Sequence, residues 1–129
     1  MSLGESHPFE DLFERARHPA FILDPDKDRV LAANPAGAEH LGLSREEALQ
    51  STISRFHPGE LHQLQAFVRE VLRDGYGTTV TLTCRTASGE CLPTEMSLYA
   101  FEGGGGVHLL ALVQDRSVHR HAPALAHDR

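Results

Sequence analysis

The chain has 129 residues, 40% of them hydrophobic and 23% charged, which suits one globular domain rather than a disordered segment. Its net charge is −6, Lys27 is the only lysine and tryptophan is absent. That leaves no basic patch for a phosphate backbone and little for bases to stack on, which argues against nucleic-acid binding.

In chain order, the first periodic segment is Phe9 to Ala16. Phe9, Leu12, Phe13 and Ala16 share one helical face, Pro8 suits the first turn, and Pro19 ends the element. That stripe either caps its own domain or pairs with a second chain. Ala20 to Asp24 is apolar and partly β-branched and reads as a strand. Pro25 to Asp28 is a turn, and Arg29 to Ala33 completes a hairpin. Asn34-Pro35 is a helix-start signal, and Gly42 stops that short helix. Ser44 to Glu47 matches a capping box that opens a second short helix to about Leu49. Ser51 to Phe56 leaves room for a further helical turn.

The strongest helix runs from about Gly59 to Asp74. Its apolar stripe is Leu61, Leu64, Val68, Val71 and Leu72, widened by Phe67, and Gly75 closes it. The rest is strand-like. Thr78 to Thr86 alternates, with Val80, Leu82 and Cys84 on one face. Ser88-Gly89 turns the chain, and Cys91 to Phe101 returns with Leu92, Thr94, Met96, Leu98 and Ala100 on one face. Pro93 implies an edge or an irregularity there. Gly103 to Gly106 reads as a flexible connection. Val107 to Gln114, apolar on both faces except at His108, reads as a central strand. Met1 to Leu3 has the look of an expression-vector remnant. Residues 1–8 form an extension, 9–115 the domain, and 116–129 a tail that frays or begins a signalling helix.

These elements predict an α+β domain: a five-stranded antiparallel sheet with helices covering one face. No apolar run reaches the length of a membrane span, and Cys84 and Cys91 match neither a zinc-ribbon nor a CxxC spacing. With no signal peptide at the start, they read as reduced thiols of a cytoplasmic protein. His57 and His62 are five apart rather than four, so no helical metal pair forms. No GxSxG, P-loop or HExxH occurs, and no arrangement meets the demands of a catalytic site.

The order of elements resembles the PAS fold. Ala20 to Asp26 resembles its opening strand and acidic turn, and Arg29 to Ala36 its second strand running into an Asn-Pro helix start. Leu41 to Glu47 resembles its small-helix segment, and His57-Pro58 the opening of its long helix. Ala87 to Glu90 resembles its Gly-containing hairpin, and Leu112 to Ser117 its closing strand. The resemblance spans about Phe9 to His119. It implies a non-catalytic sensory or signal-relay module of a bacterial signalling protein such as a sensor histidine kinase. The module would bind a small ligand or partner, dimerise, and act on an output domain of the parent protein.

For a domain of this kind, the wall of a ligand pocket would combine the long helix and the inner sheet face. The candidates are Phe56, Leu64, Phe67, Val68, Leu82, Met96 and Leu98. The alternative is that these residues fill the core and the module only dimerises. The dimer-interface candidates are Phe9, Leu12 and Phe13. Haem-binding PAS domains use a His on the long helix, which makes His62 the haem-ligand candidate. Flavin-photoadduct members carry an Asn-Cys dipeptide in the helical segment, which this sequence lacks. Its most natural state is without a cofactor, haem and a small metabolite being the alternatives.

Overall fold

The computed structural model describes residues 8–117, all but Pro8 with their side chains. The remnant assigned to residues 1–3 and most of the tail lie outside the described residues. In chain order the elements are helix α1 (Pro8–Arg15), strands β1 (Ala20–Asp24) and β2 (Arg29–Ala33), and helices α2 (Pro35–Leu41) and α3 (Arg45–Leu49). A 3₁₀ turn (Ser54–Phe56) and helix α4 (Leu61–Asp74) follow. Strands β3 (Tyr76–Thr79), β4 (Thr83–Arg85), β5 (Cys91–Gly103) and β6 (Gly106–Asp115) complete the chain. The antiparallel sheet has the order β2-β1-β6-β5-β3, with β4 also pairing β5. The first hairpin thus joins the last strands through β1 against β6.

The caps act as their residue types require. Asn34 caps α2 with Pro35 at its first position, and Gly42 ends it at φ 74°. Ser44 and Glu47 form the reciprocal capping box of α3. Gly75 closes α4 at φ 89°, but α4 begins at Leu61, two residues later than expected. Its buried face is Leu64, Phe67 and Val71, while Leu61 and Leu72 are exposed. The true stripe is therefore narrower than the sequence pattern and turned toward Phe67.

The expected third strand is two strands. From Thr79 to Thr83 the chain takes four steps, while the partner takes three from Met96 to Pro93. The extra residue reverses which side chains face inward, as a bulge does. Val80 is therefore 49% exposed although Leu82 and Cys84 are buried. Thr79 Oγ1 accepts the Thr81 amide and steadies the break. Pro93 sits opposite this irregularity, where its missing N–H does least harm. The glycine run is tighter than expected as well: Gly103 pairs with Gly106, which leaves a two-residue turn. Strand β6 is central, but not because both faces are covered. Leu109, Ala111 and Val113 are buried, whereas Val107 and Leu112 lie exposed on other positions of the strand.

Asn34 fastens three segments at once. Its Oδ1 accepts the Gly37 and Ala20 amides at 2.7 and 3.0 Å, and its Nδ2 donates to the Phe13, Ala16 and His18 carbonyls at 3.0–3.3 Å. The residue is fully buried. The end of α1, the start of β1 and the start of α2 therefore share one amide. Asn34→Ala is expected to cost about 3 kcal/mol, since it leaves buried donors and acceptors unpaired. Asn34→Asp is expected to be similarly damaging, because it keeps the cap but points a carboxylate at three carbonyls. Urea unfolding checks both, as a lower midpoint at constant slope. An Asp variant as stable as the parent would show that Asn34 is only a helix cap.

Candidate functional site

A cavity of about 50 Å³ lies between the inner sheet face and the helices. Strands β1 and β2 contribute Phe21, Leu23 and Val30. From β4, β5 and β6 come Cys84, Met96, Leu98, Leu109, Ala111 and Val113. The helical side supplies His40 and Leu41 of α2, Ile53 and Phe56 around the 3₁₀ turn, His57, and Leu64 and Val68 of α4. These positions follow from strand alternation: every second residue of β5 and β6 turns inward, and α4 lies across them. The core is thus well packed but not filled.

Of the seven pocket candidates read from the sequence, Phe56, Leu64, Val68, Met96 and Leu98 line this cavity. Phe67 and Leu82 are buried but stand outside its wall, in the packing beneath β3 and beside Thr94. Gly77 explains the position of Phe67, because a Cβ there would lie 3.0 Å from both the Phe67 ring and Val71. His62 is exposed on α4 and absent from the wall. The space is also far below the roughly 300–1,000 Å³ of clefts that hold larger ligands. The residues present therefore do not fit haem, and the candidate ligand His62 faces away from where a ligand would sit.

Sequence reasoning missed His40 and His57. His40 follows Gly37 by three residues and precedes Leu41, both buried, so the helical period did place it near the inner face. His57 is 5% exposed and belongs to the end of the 3₁₀ turn, not to the opening of α4. Its Nδ1–H donates to the Thr83 carbonyl at 2.7 Å. Glu60 accepts the Thr83 amide and hydroxyl at 2.9–3.2 Å and lies 3.6 Å from His57 Nδ1. Together they clamp the start of β4 to the segment before α4. The other imidazole differs: His40 Nε2 is buried with no hydrogen-bond partner.

Burial pushes both histidines below the ordinary imidazole range. For His57 it outweighs the Thr83 carbonyl and the Glu60 carboxylate, and for His40 it outweighs the charge of Asp115. Burial likewise pushes the Cys84 thiol up to about 12, so this wall residue is an unreactive thiol at neutral pH. Among the described residues no cluster of His, Cys, Asp and Glu could hold a metal ion. No described helix is long and apolar enough to cross a membrane.

The histidine shifts set a sign for acid stability. Below pH 6.5 the unfolded chain takes up protons that the folded one refuses, so stability is lost as pH falls from that value toward the depressed folded-state pKa values. The urea midpoint is expected to be lower at pH 5.5 than at pH 7.5. A midpoint that rises on acidification would contradict the buried, neutral assignment.

The fold has many solved counterparts. The PAS domain of a two-component sensor histidine kinase superposes with a TM-score of 0.72 at 22% identity, over 86% of this chain and 96% of that one. The PAS domain of nitrogen regulation protein NR(II) from Vibrio parahaemolyticus gives 0.70 at 20% identity, over 85% and 98%. A domain of a sensory box sensor histidine kinase/response regulator from Geobacter sulfurreducens gives 0.65 at 24% identity, over 86% and 94%. No curated protein matches the chain. The family model described as PAS domain matches residues 18–117, from the connection before β1 to just past β6. The chain belongs to the PAS domain family, whose members are generally sensory, non-catalytic modules.

Proposed function

We propose that this PAS domain is a cytoplasmic sensor module of a signal-transduction protein, one that takes a small uncharged ligand into its inner cavity. The observation that carries this reading is the space between sheet and helices, lined by hydrocarbon except at His40, His57 and the sulfurs of Cys84 and Met96. Apolar cavities in close-packed cores stay dry and accept small apolar guests. The signal leaves along β6. Its inward residues Leu109, Ala111 and Val113 form the cavity wall, and the strand ends at Asp115, which accepts the Ser117 amide and hydroxyl.

Xenon tests the cavity without presuming the ligand. It is expected to shift methyl signals of Leu64, Val68 and Leu98 in NMR spectra under gas pressure. Ala111→Val adds two carbons to the wall on a strand that suits a β-branched residue. It should fold and weaken xenon binding at least about 10-fold. A parent protein whose core methyls ignore xenon would contradict the reading and leave a filled dimerisation module.

Dimerisation has its own support, so self-association forms a second part of the proposal. Phe9 and Leu12 are exposed on α1, while Phe13 is half-buried with its ring 6.1 Å from that of Phe9. On the sheet, Tyr76, Tyr99, Phe101 and Leu112 are exposed, with the two tyrosine rings 4.9 Å apart. The chain after α1 continues this surface, since Ala16 and His18 border a groove with Ser97 and Leu112. A run of exposed apolar side chains of this kind marks an association surface. Leu12→Glu is expected to weaken the dimer at least about 10-fold, or about 1.4 kcal/mol, with an unchanged circular dichroism spectrum. Light scattering across a dilution series checks it. An unchanged dissociation constant would remove α1 from the interface.

A further inference from the structure

We infer that Val68 of α4 is the gate of the cavity. Guests pass between its side chain and the turn at residues 25–28, and its isopropyl group limits how fast they do so. This deepens the sensory reading and rests on it.

The cavity wall is one side chain thick at this place. Ile53, Leu64 and Val68 line the cavity on one side and, on the other, a surface groove that they share with Pro25, Asp26 and Asp28 of the turn. Val68 also borders a second groove, formed beyond the same turn with Leu72, Gly106 and Val107. It is the residue at which the cavity and both grooves meet. Helix phase puts it there, because Leu61, Leu64, Val68 and Leu72 follow one another at three- and four-residue steps along α4.

Burial agrees with that placement. Of the wall residues, Val68 and His40 are partly exposed and the others are buried. His40 keeps its Nε2 buried and borders neither groove. Val113 of the wall also borders a groove on the outer side of the sheet, but the backbone closes that direction. Its amide donates to the Pro19 carbonyl at 3.0 Å, and the residue pairs with Met96 of β5.

The two sides of the gate differ in stiffness. The turn is tied at each end. Asp24 Oδ1 accepts the Asp26 and Lys27 amides at 3.0 and 3.2 Å, and the Asp28 carboxylate accepts the Ser54 amide and hydroxyl at 3.0 and 2.6 Å. The part free to move is therefore the Val68 side chain. A valine in a helix keeps one preferred rotamer most of the time, so the opening is brief.

Size makes the gate matter. At about 50 Å³ the cavity has about a third of the room of one that accepts benzene, enough for about two heavy atoms. So small a guest reaches millimolar affinity at most. Held that weakly, it would leave almost at once through an open wall. The gate, more than the affinity, then sets how long it stays.

Xenon exchange in the full chain tests this. The rate at which bound and dissolved xenon exchange is read by xenon NMR saturation transfer under gas pressure. It is expected to rise at least about 10-fold in Val68→Ala and to fall at least about 3-fold in Val68→Ile, which adds a carbon to the gate and does not need a truncated wall to fold. Val30→Ala removes the same two carbons from a buried wall position of β2 and should stay within about 3-fold of the parent. Leu61→Ala, on the first groove but not in the wall, should leave the rate unchanged. Xenon that binds at a rate neither Val68 variant alters would overturn the gate. An equal acceleration in Val30→Ala would overturn it too, by making general loosening of the core the route. A parent that binds no xenon would overturn the cavity reading itself, and the gate with it.

Discussion

The side-chain amide of Asn34 is the constraint on which the rest of the structure depends. Five backbone groups from three segments converge on it, and none could be satisfied by water at a position with no exposed surface. By holding the Ala20 amide it sets where β1 begins. The register that follows puts Phe21 and Leu23 on the inner face, and it places Ala20 opposite Leu112 and Phe21 opposite Ala111 of β6. By capping α2 it aims that helix across the sheet. Gly37 is needed in the same place, because a Cβ there would lie 2.9 Å from the Phe21 ring and 3.1 Å from the Ala20 carbonyl. A surface contact between Arg45 and Glu14 adds a link from α3 back to α1, but an exposed pair of this kind contributes little.

The cavity exists because the layers built on that frame do not quite close. One side is a ladder of inward residues on β5 and β6, and the other is α4 with the shorter helices. Histidines border the gap at two places with different consequences. His57 is tied to Thr83 and, with Glu60, fixes the short strand β4 to the approach to α4. His40 is left with an unpaired ring nitrogen. Strand β6 then joins wall and exit in one element, running from Leu109 through Val113 to Asp115, which accepts the Ser117 amide just beyond the strand.

Much of this was legible in the residues. Asn34-Pro35, Ser44 with Glu47, and Gly75 named their own caps, because capping is local chemistry between residues a few positions apart. The alternation of Met96 and Leu98 with Glu95, Ser97 and Tyr99 gave the contribution of β5 to the wall. Other features depend on partners distant in sequence. The break after Thr79 is set by register against β5, so Val80 looked equivalent to Leu82 although it faces the other way. His62 lay near the position the family resemblance implied, yet helix phase turns it outward, while His40, three residues after Gly37 and next to Leu41, borders the cavity. Phe67 and Leu82 illustrate the remaining gap: hydrophobic periodicity identifies a buried residue, but only packing decides whether it borders a void.

The central claim is that occupancy of the cavity reaches the end of β6. Amide hydrogen exchange measured by NMR with and without xenon pressure tests it most directly, because xenon needs no polar anchor and touches only the cavity. The account predicts slower exchange at Val113, Asp115 and Ser117 together with the cavity-lining segments of α2 and α4. Protection confined to those helices, with the end of β6 unchanged, would contradict it.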